Sequence, residues 1–574
     1  MHLLMYGGTY TNAPTTNMVV EVQGWFCNGV SDDGDCGGMG SFTLNPWSNS
    51  LPTQTVGTYY SHADVQYTSW DSDVANAQVL DVWDRGGDTI AADWDGAPMD
   101  CPPAVMNGVP PEYYINEYDL SCGQKYTDAD DGYQAMAVAI NQVLPTYRPS
   151  ANMKFFMIMD DSAWKFLCAK NQNLGYDGLK EPWCAANKMI KDLEYIASTY
   201  KTSPSYATYG NNLPIIAFFQ NEGSGGVGGD MDQCQNSQCI YDDNQDTCGG
   251  PPPNGNGEAG CYAAIYQQVY NEANTLFGGM NNFYFIFAHA SGCPAMSYNG
   301  QSWQNSGHLY SDGCYAWVQP FAAHQASNIT YDTQTYNHSG SGPQYGLDYF
   351  YGQSVDPICA ANGGKLSGCV GANGQKQLLL MGAAFKGFDD LMTNPLNTGW
   401  YAARVATQGC GDTWMKSWGE MNSWYSEARN PLPYMMIPTW NDYEEGTEIE
   451  TGIDNCIQTS TFLPTINVST LKWQYDFYEA NDPFKLANWD TVDHYDLYYA
   501  TNCTSDCSNY TLLDHSISSS DAGCTWSYPE VSCSGIDLSK SGLSQGSYGI
   551  FVQAVGKPGI TNWIMPQGAS YTVQ

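Results

Sequence analysis

The segment from Trp440 to Glu450 (WNDYEEGTEIE) places five acidic residues within nine positions, directly after an apolar run. Like charges at this spacing raise one another's pKa, and cleavage of a glycosidic bond needs one protonated and one ionised carboxyl. Asp442 and Glu445 stand three residues apart on a turn, so their side chains can enter one cleft. The spacing alone also fits a solvated acidic loop or a calcium site.

This segment resembles the W-N-D signature of glycoside hydrolase families 71 and 99, and Asp93-Trp94-Asp95-Gly96 resembles the end of their second strand. These families are (β/α)8 enzymes that cut α-glycosidic bonds, among them α-1,3-glucanases and endo-α-mannosidases. The resemblance implies that Glu445 protonates the leaving oxygen and that Asp442 is the base. Asp442 would act on a water, with inversion, or on the sugar 2-hydroxyl, with retention. Glu444 could compete with Glu445 for the acid role.

Eight apolar runs precede polar or aromatic residues and alternate with helical patterns, which predicts a (β/α)8 TIM barrel over residues 1–460. The runs are Met18–Phe26, Asp88–Trp94, Met153–Asp161, Leu213–Glu222, Phe283–Ala290, Ser311–Val318, Gln377–Phe385 and Pro433–Asp442. The helical patterns are Val74–Trp83, Tyr133–Tyr147, Asn187–Tyr200, Tyr262–Phe277, Leu347–Val355 and Asp412–Arg429. Active sites of this fold lie at the carboxyl ends of the strands.

Polar and aromatic side chains near those strand ends are expected to bind sugar hydroxyls or stack on sugar rings. They are Asp93, Trp94, Asp95, Asp160, Asp161, Glu222, His289, Asp312, Trp317, Trp440, Asn441, Tyr443 and Glu444. Glu222 supports an alternative by analogy of fold, because many retaining glycosidases carry their acid/base in an Asn-Glu pair after strand four. The run ending at Phe385 continues as KGFDD without the Glu that such enzymes use after strand seven.

Residues 461–574 lack helical periodicity and contain short alternating runs, which predict an antiparallel β-sandwich of the fibronectin or immunoglobulin type. The runs are His494–Ala500, residues 508–513, Gly546–Val555 and Ala569–Val573. Such a module would support the barrel or add weak sugar contacts.

The composition restricts the partners. With 20 Lys and Arg against 59 Asp and Glu, a formal net charge of −39 disfavours nucleic acid and anionic membrane surfaces. Twenty cysteines, including the close pair Cys503 and Cys507, favour a disulfide-bonded secreted protein. The first residues lack the basic and apolar regions of a signal peptide, so we expect a mature secreted form without membrane insertion.

No cofactor or metal is expected, since the Asp clusters at 31–36, 127–132 and 241–246 do not complete a calcium loop. The sequence therefore predicts an extracellular, endo-acting glycoside hydrolase for a neutral polysaccharide of the α-1,3-glucan or α-mannan type, without an obligate protein partner. The alternatives are a retaining β-glycanase that uses Glu222, a non-catalytic carbohydrate-binding or cell-surface protein, and an assembly or adhesion protein.

Overall fold

The computed structural model describes a defined subset of the 574 residues. These are residues 16–24, 69–94, 96–97, 124–160, 184–219, 269–279, 282–288, 297–298, 301–302, 311–318, 321–322, 335–336, 338–339, 343–355, 376–389, 404–406, 408, 411–424, 432–442, 445–450, 457–462, 470–477, 492–504, 507, 509–518, 520–521, 523–527, 530–534, 543–556 and 569–573.

Eight parallel strands form a closed barrel. They are β1 (Asn17–Gln23), β2 (Thr89–Trp94), β3 (Lys154–Asp160), β4 (Leu213–Phe219), β5 (Tyr284–Ala288), β6 (Gly313–Tyr315), β7 (Leu379–Ala383) and β8 (Tyr434–Ile437). Each strand pairs with the next, and β8 closes the barrel on β1 through Asn17 and Tyr434. Seven strands lie within one of the eight apolar runs, and β1 begins one residue before its run, so the barrel prediction is confirmed.

Helices follow or precede the strands on the outside of the barrel. They are α1 (Ser72–Asp84), α2 (Gln124–Val138), α3 (Cys184–Tyr195), α4 (residues 269–277), α5 (Pro343–Tyr349) and α6 (Asp412–Trp424). Wider π-type turns extend three of them, at Ala139–Val143, Ile196–Tyr200 and Phe350–Val355. Among the described residues, none of the helices combines the length and apolar character that crossing a bilayer requires.

The strands are buried on both faces, and their two-residue period separates a helix side from a lumen side. Val20 belongs to the helix side, because a Cβ atom at Gly87 would lie 3.0 Å from Val20 and 2.5 Å from Val82 of α1. Glu21 and Gln23 therefore face the lumen, although their neighbours in sequence are apolar.

Pairing extends this alternation to the neighbouring strands. Gln23 is in register with Asp93 of β2, and Asp93 is in register with Ile158 of β3. Asp160 lies two residues beyond Ile158 on the same face. Acidic and amide side chains thus gather inside the barrel at the carboxyl ends of three adjacent strands.

Short antiparallel strands lie between the barrel elements. They are Thr208–Tyr209, Ser297–Tyr298, Gln301–Ser302, Phe321–Ala322, Thr335–Tyr336, His338–Ser339, Phe388–Asp389 and Arg404–Ala406. A four-residue helix, Leu144–Tyr147, follows the π-type turn after α2. Phe388–Asp389, Arg404–Ala406 and Phe321–Ala322 form one small sheet. This sheet contains residues that directly follow β7.

The C-terminal region forms two antiparallel four-stranded sheets. Its strands are β9 (Ile457–Phe462), β10 (Thr470–Phe477), β11 (Val492–Thr501), β12 (Thr511–Ser518), β13 (Cys524–Ser527), β14 (Glu530–Ser534), β15 (Gly546–Gly556) and β16 (Ala569–Val573). Three of the four predicted runs lie within β11, β15 and β16, and residues 511–513 of the fourth begin β12. The sheet β9–β10–β14–β13 was missed. Its strands β9, β13 and β14 are short and polar, whereas the alternating apolar residues of β10 (TLKWQYDF) are a strand signal that the sequence analysis overlooked.

One hydrophobic cluster joins the two C-terminal sheets, since Tyr495 and Leu497 of β11 share it with Val531 and Cys533 of β14. Disulfides connect Cys503 with Cys507 and Cys524 with Cys533. The antiparallel architecture agrees with the sequence, whereas its fibronectin or immunoglobulin type and the domain boundary at residue 460 stay predictions.

Candidate active site

Asp442 lies five residues beyond β8, at the carboxyl end of the barrel, and is 5% exposed. Its Oδ2 accepts a hydrogen bond from Gln23 Nε2 at 2.7 Å, and its Oδ1 accepts one from the Glu445 backbone N–H at 2.9 Å. The Asp442 backbone N–H donates to Thr439 Oγ1 at 2.9 Å. Two N–H donors on one side chain are the environment that an ionised carboxylate prefers.

Glu445 begins the turn that carries the chain back from Asp442. The backbone N–H of Thr447 donates to the Asp442 carbonyl at 3.2 Å, and that of Ile449 donates to the Thr439 carbonyl at 3.0 Å. Gly446 supports this return with φ 63°, a left-handed conformation that favours glycine. Glu445 is partly exposed at the tip, while Asp442 is held at the base of the same short loop.

Two further acids of the segment fasten this loop to the barrel. Glu448 is buried and pairs with Lys386, which follows β7 and is also buried. Glu450 accepts a hydrogen bond from Gln78 of α1 at 3.3 Å. The five acids predicted as one cluster therefore divide, because Glu448 and Glu450 hold the loop while Asp442 and Glu445 lie at its turn.

Glu21 is a buried acid of the site that the sequence analysis missed. It lies in the lumen on β1 with 1% exposure, and its Oε2 accepts a hydrogen bond from Trp317 Nε1 at 2.7 Å. Burial raises the pKa of Glu21 to about 8; the Trp317 hydrogen bond lowers it, and the charges of Asp442 and Asp160 raise it. The signal was present in the run MVVEVQGWF, where one acid interrupts an apolar strand.

Trp317 lies two residues beyond β6, three strands around the barrel from β1, and reaches Glu21 inside the lumen. Its ring contacts Phe219 at the end of β4, with 5.0 Å between centroids, and Phe388 at 6.1 Å. The indole is only 7% exposed, so its main contacts are protein groups. The expected carboxyl-end position of Trp317 agrees with the structure, and its contact with sugar stays a prediction.

Asp93 and Asp160 also lie at the carboxyl end of the lumen. Asp93 is 6% exposed, whereas Asp160 is the partly exposed last residue of β3. Together with Glu21 and Asp442 they give the floor of the barrel mouth an acidic character. Such a floor suits hydroxyl-rich neutral ligands, because carboxylates accept hydrogen bonds from hydroxyl groups.

Trp94 and Trp440 differ from their expected positions in the cleft, and both are completely buried. Trp94 lies on the helix side of β2 and stacks on Tyr195 at 6.1 Å. Trp440 lies under the Arg85 guanidinium, 5.0 Å from the ring centroid, next to α1. The two-residue period of β2 places Trp94 on the face opposite Asp93, whereas Trp440 lies beyond the end of β8 and packs beside Arg85 at the end of α1.

Asn441 and Asp312 also have structural environments where sugar contacts were expected. Asn441 accepts from the Gln23 backbone N–H and donates to the Gln23 carbonyl, both at 2.8 Å, which extends the pairing of β1. Asp312 precedes β6 and lies at the amino end of the barrel, where it pairs with Lys376 at 2.8 Å. The predicted strand 311–318 began too early, and this misplaced Asp312 relative to the strand end.

Six predicted site residues lie outside the described residues: Asp95, Asp161, Glu222, His289, Tyr443 and Glu444. Their roles stay predictions. Within the described part of the chain, no group of three His, Cys, Asp or Glu side chains is arranged to hold a metal ion.

Comparison with known proteins gives matches among solved structures alone, since no protein-family model and no curated protein matches the chain. The endo-α-mannosidase GH99 of Bacteroides thetaiotaomicron is similar over 76% of this chain and 86% of its own, at 11% identity and TM-score 0.36. A trimodular GH5_4 endoglucanase is similar over 86% and 73%, at 9% identity and TM-score 0.33.

A GH5-4 endoglucanase of Clostridium acetobutylicum is similar over 67% of this chain and 84% of its own, at 9% identity and TM-score 0.28. All three structures are glycoside hydrolases by name. The mannosidase belongs to one of the two families that the segment from Trp440 to Glu450 resembles.

Proposed function

We propose that this protein is a secreted glycoside hydrolase that cleaves α-glycosidic bonds in a neutral polysaccharide, of the α-1,3-glucan or α-mannan type. The observation that carries the proposal is the hydrogen-bonded unit of Asp442, Glu445 and Gln23 at the carboxyl end of β8. This end of a (β/α)8 barrel is where catalytic side chains of the fold lie. The resemblance of the segment to families 71 and 99 supports the α-linkage.

The two acids have different environments, which suits them to different roles. Asp442 is buried and accepts two N–H donors, so it acts as the base that removes a proton. Glu445 is partly exposed at the loop tip and donates its carboxyl proton to the departing glycosidic oxygen. Asp442 takes its proton from water in an inverting reaction, or from the sugar 2-hydroxyl in a retaining one.

Secretion is supported by the two disulfides of the C-terminal sheets, because such bonds persist in oxidising compartments. The acidic lumen disfavours polyanionic substrates by charge repulsion. A neutral polysaccharide is not subject to this repulsion.

The test measures release of reducing ends from α-1,3-glucan, α-mannan, dextran and starch by wild type, Asp442→Asn and Glu445→Gln. Each variant is expected to lose about 10²–10⁴-fold in turnover, because one proton transfer loses its donor or acceptor. Glu194→Gln is the matched control, since Glu194 is exposed on α3. Near-normal turnover by Glu445→Gln would overturn the assignment. Release of reducing ends from a β-1,4-glucan that is lost in Glu222→Gln and kept in Glu445→Gln would favour the retaining β-glycanase.

A further inference from the structure

We propose that Glu21 is a positioning residue that stays protonated in the working enzyme and thereby leaves Asp442 as the anion that Gln23 holds. This inference rests on the proposed function for its catalytic consequence. Its structural basis is independent, because it concerns the protonation state of one buried side chain and the hydrogen bonds around it.

The geometry fixes Glu21 at both its main chain and its side chain. Its carbonyl accepts from the Trp440 backbone N–H at 2.6 Å, so the chain that leads to Asp442 runs beside it. Its Oε2 accepts a hydrogen bond from Nε1 of Trp317, which follows β6. Gln23 lies two residues further on the same face and donates to Asp442.

The charges that act on Glu21 come from Asp442 on the β8 side and Asp160 on β3, and both are acidic. A carboxyl that is buried between acids loses solvation and gains repulsion when it ionises. With its pKa raised to about 8, Glu21 is neutral at neutral pH. The indole N–H of Trp317 donates a hydrogen bond to Oε2. The protonated carboxyl also has an O–H that can donate a hydrogen bond to the neighbouring acids.

Ionisation of Glu21 would place a second negative charge beside the Gln23–Asp442 pair. Repulsion between the two charges would then weaken the fixed position from which Asp442 removes a proton. A neutral Glu21 avoids this repulsion and still accepts the hydrogen bond from Trp317. Glu21 thus acts on the reaction through Asp442, without touching the substrate.

Infrared difference spectroscopy between pH 6 and pH 10 tests the protonation state directly in the full-length protein. The wild type is expected to lose the carbonyl band of a protonated carboxyl with a midpoint near 8, and Glu21→Gln is expected to lack this band. Glu420→Gln is the matched control, because the pKa of Glu420 is raised to about 7 at a different place in the barrel. A band with a midpoint near 8 that persists unchanged in Glu21→Gln would overturn the proposal, whereas the Glu420 band near 7 should remain in that variant.

Two further measurements separate positioning from a purely structural role. Glu21→Gln keeps an acceptor for Trp317 and cannot ionise, so wild-type turnover is expected to fall as pH rises through 8 while that of Glu21→Gln does not. Between pH 7 and pH 9, the thermal unfolding midpoint of Glu21→Gln is expected to fall less than that of wild type. A large loss of turnover at pH 6 in a folded Glu21→Gln would instead show that the reaction needs an ionisable group there.

These outcomes are distinguishable from failure of the proposed function. The infrared band and the thermal midpoint require no substrate, so they test Glu21 even if Asp442→Asn and Glu445→Gln keep their turnover. In that case the protonated state of Glu21 would stand and its link to catalysis would fall.

Discussion

The two ends of the barrel bury acids in opposite ways. At the amino end, Asp312 pairs with Lys376 at 2.8 Å and accepts from the Phe285 backbone N–H at 3.1 Å. Burial raises the pKa of Asp312 and lowers that of Lys376, while each partner's charge counteracts the shift in the other. At the carboxyl end, the charges that act on Glu21 are those of two further acids.

The difference teaches which buried charges stabilise the fold and which serve chemistry. A cation beside a buried carboxylate repays part of the cost of desolvation, so the pair at the amino end fastens β5 and β6. A buried acid whose neighbours are also acids has no cation to offset the cost of desolvation. Such acids are found at functional sites, where a shifted pKa is useful. Lys386 and Glu448 show that a paired acid at the carboxyl end again has a fastening role.

The largest stability effect is expected at the amino end. Asp312→Ala leaves Lys376 buried without its partner, which should cost about 3–5 kcal/mol in the free energy of unfolding. Urea denaturation measures this cost, and turnover per folded molecule should be unchanged. The double variant Asp312→Leu with Lys376→Met should recover much of the loss, and a double variant as unstable as the single one would contradict the pairing argument.

A smaller loss of stability, combined with a loss of activity, is expected at the carboxyl end. Asn441→Ala removes both side-chain hydrogen bonds to the Gln23 backbone, at about 1–3 kcal/mol for the groups left unsatisfied. Because Gln23 also holds Asp442, turnover should fall while the Michaelis constant changes less. Full turnover at reduced stability would show that Gln23 does not need this clamp.

The smallest effect is expected in the helix layer, away from both ends. Glu420 of α6 and Asp348 of α5 both accept from Trp424 Nε1, and burial and Asp348 raise the pKa of Glu420 to about 7. Its contribution to stability is fully present below the unfolded pKa near 4.5 and is lost as pH rises through 7.

Glu420→Gln should remove this dependence, a change of about 1 kcal/mol because the carboxyl is half-exposed to solvent. Unfolding midpoints at pH 5 and pH 8 measure it, and turnover at either pH should match wild type. Equal pH dependence in wild type and Glu420→Gln would show that Asp348 does not hold a proton on Glu420. A raised pKa outside the lumen would then affect neither stability nor activity.

The apolar runs predicted the barrel strands, but they did not show which side chains of each strand face the lumen and which face the helices. Trp94 lies between two acids in sequence and Trp440 two residues before one, and both were expected in the cleft. The structure places Trp94 against Tyr195, because successive side chains on β2 point to opposite faces, and it places Trp440 against Arg85 in the segment beyond β8. Glu21 was overlooked for the related reason that an acid within an apolar run acquires meaning only once its face is known.

The sequence by itself determined the parallel barrel, because eight apolar runs long enough for strands alternate with helical patterns. It also determined the acidic turn after β8, whose residue types and spacing are local. The tertiary structure decided which acids meet, since Glu21, Asp160 and Asp442 are separated by more than a hundred residues and converge only when β8 closes on β1. Closure of the sheet sets the charges around each carboxyl, and those charges decide whether it holds a proton.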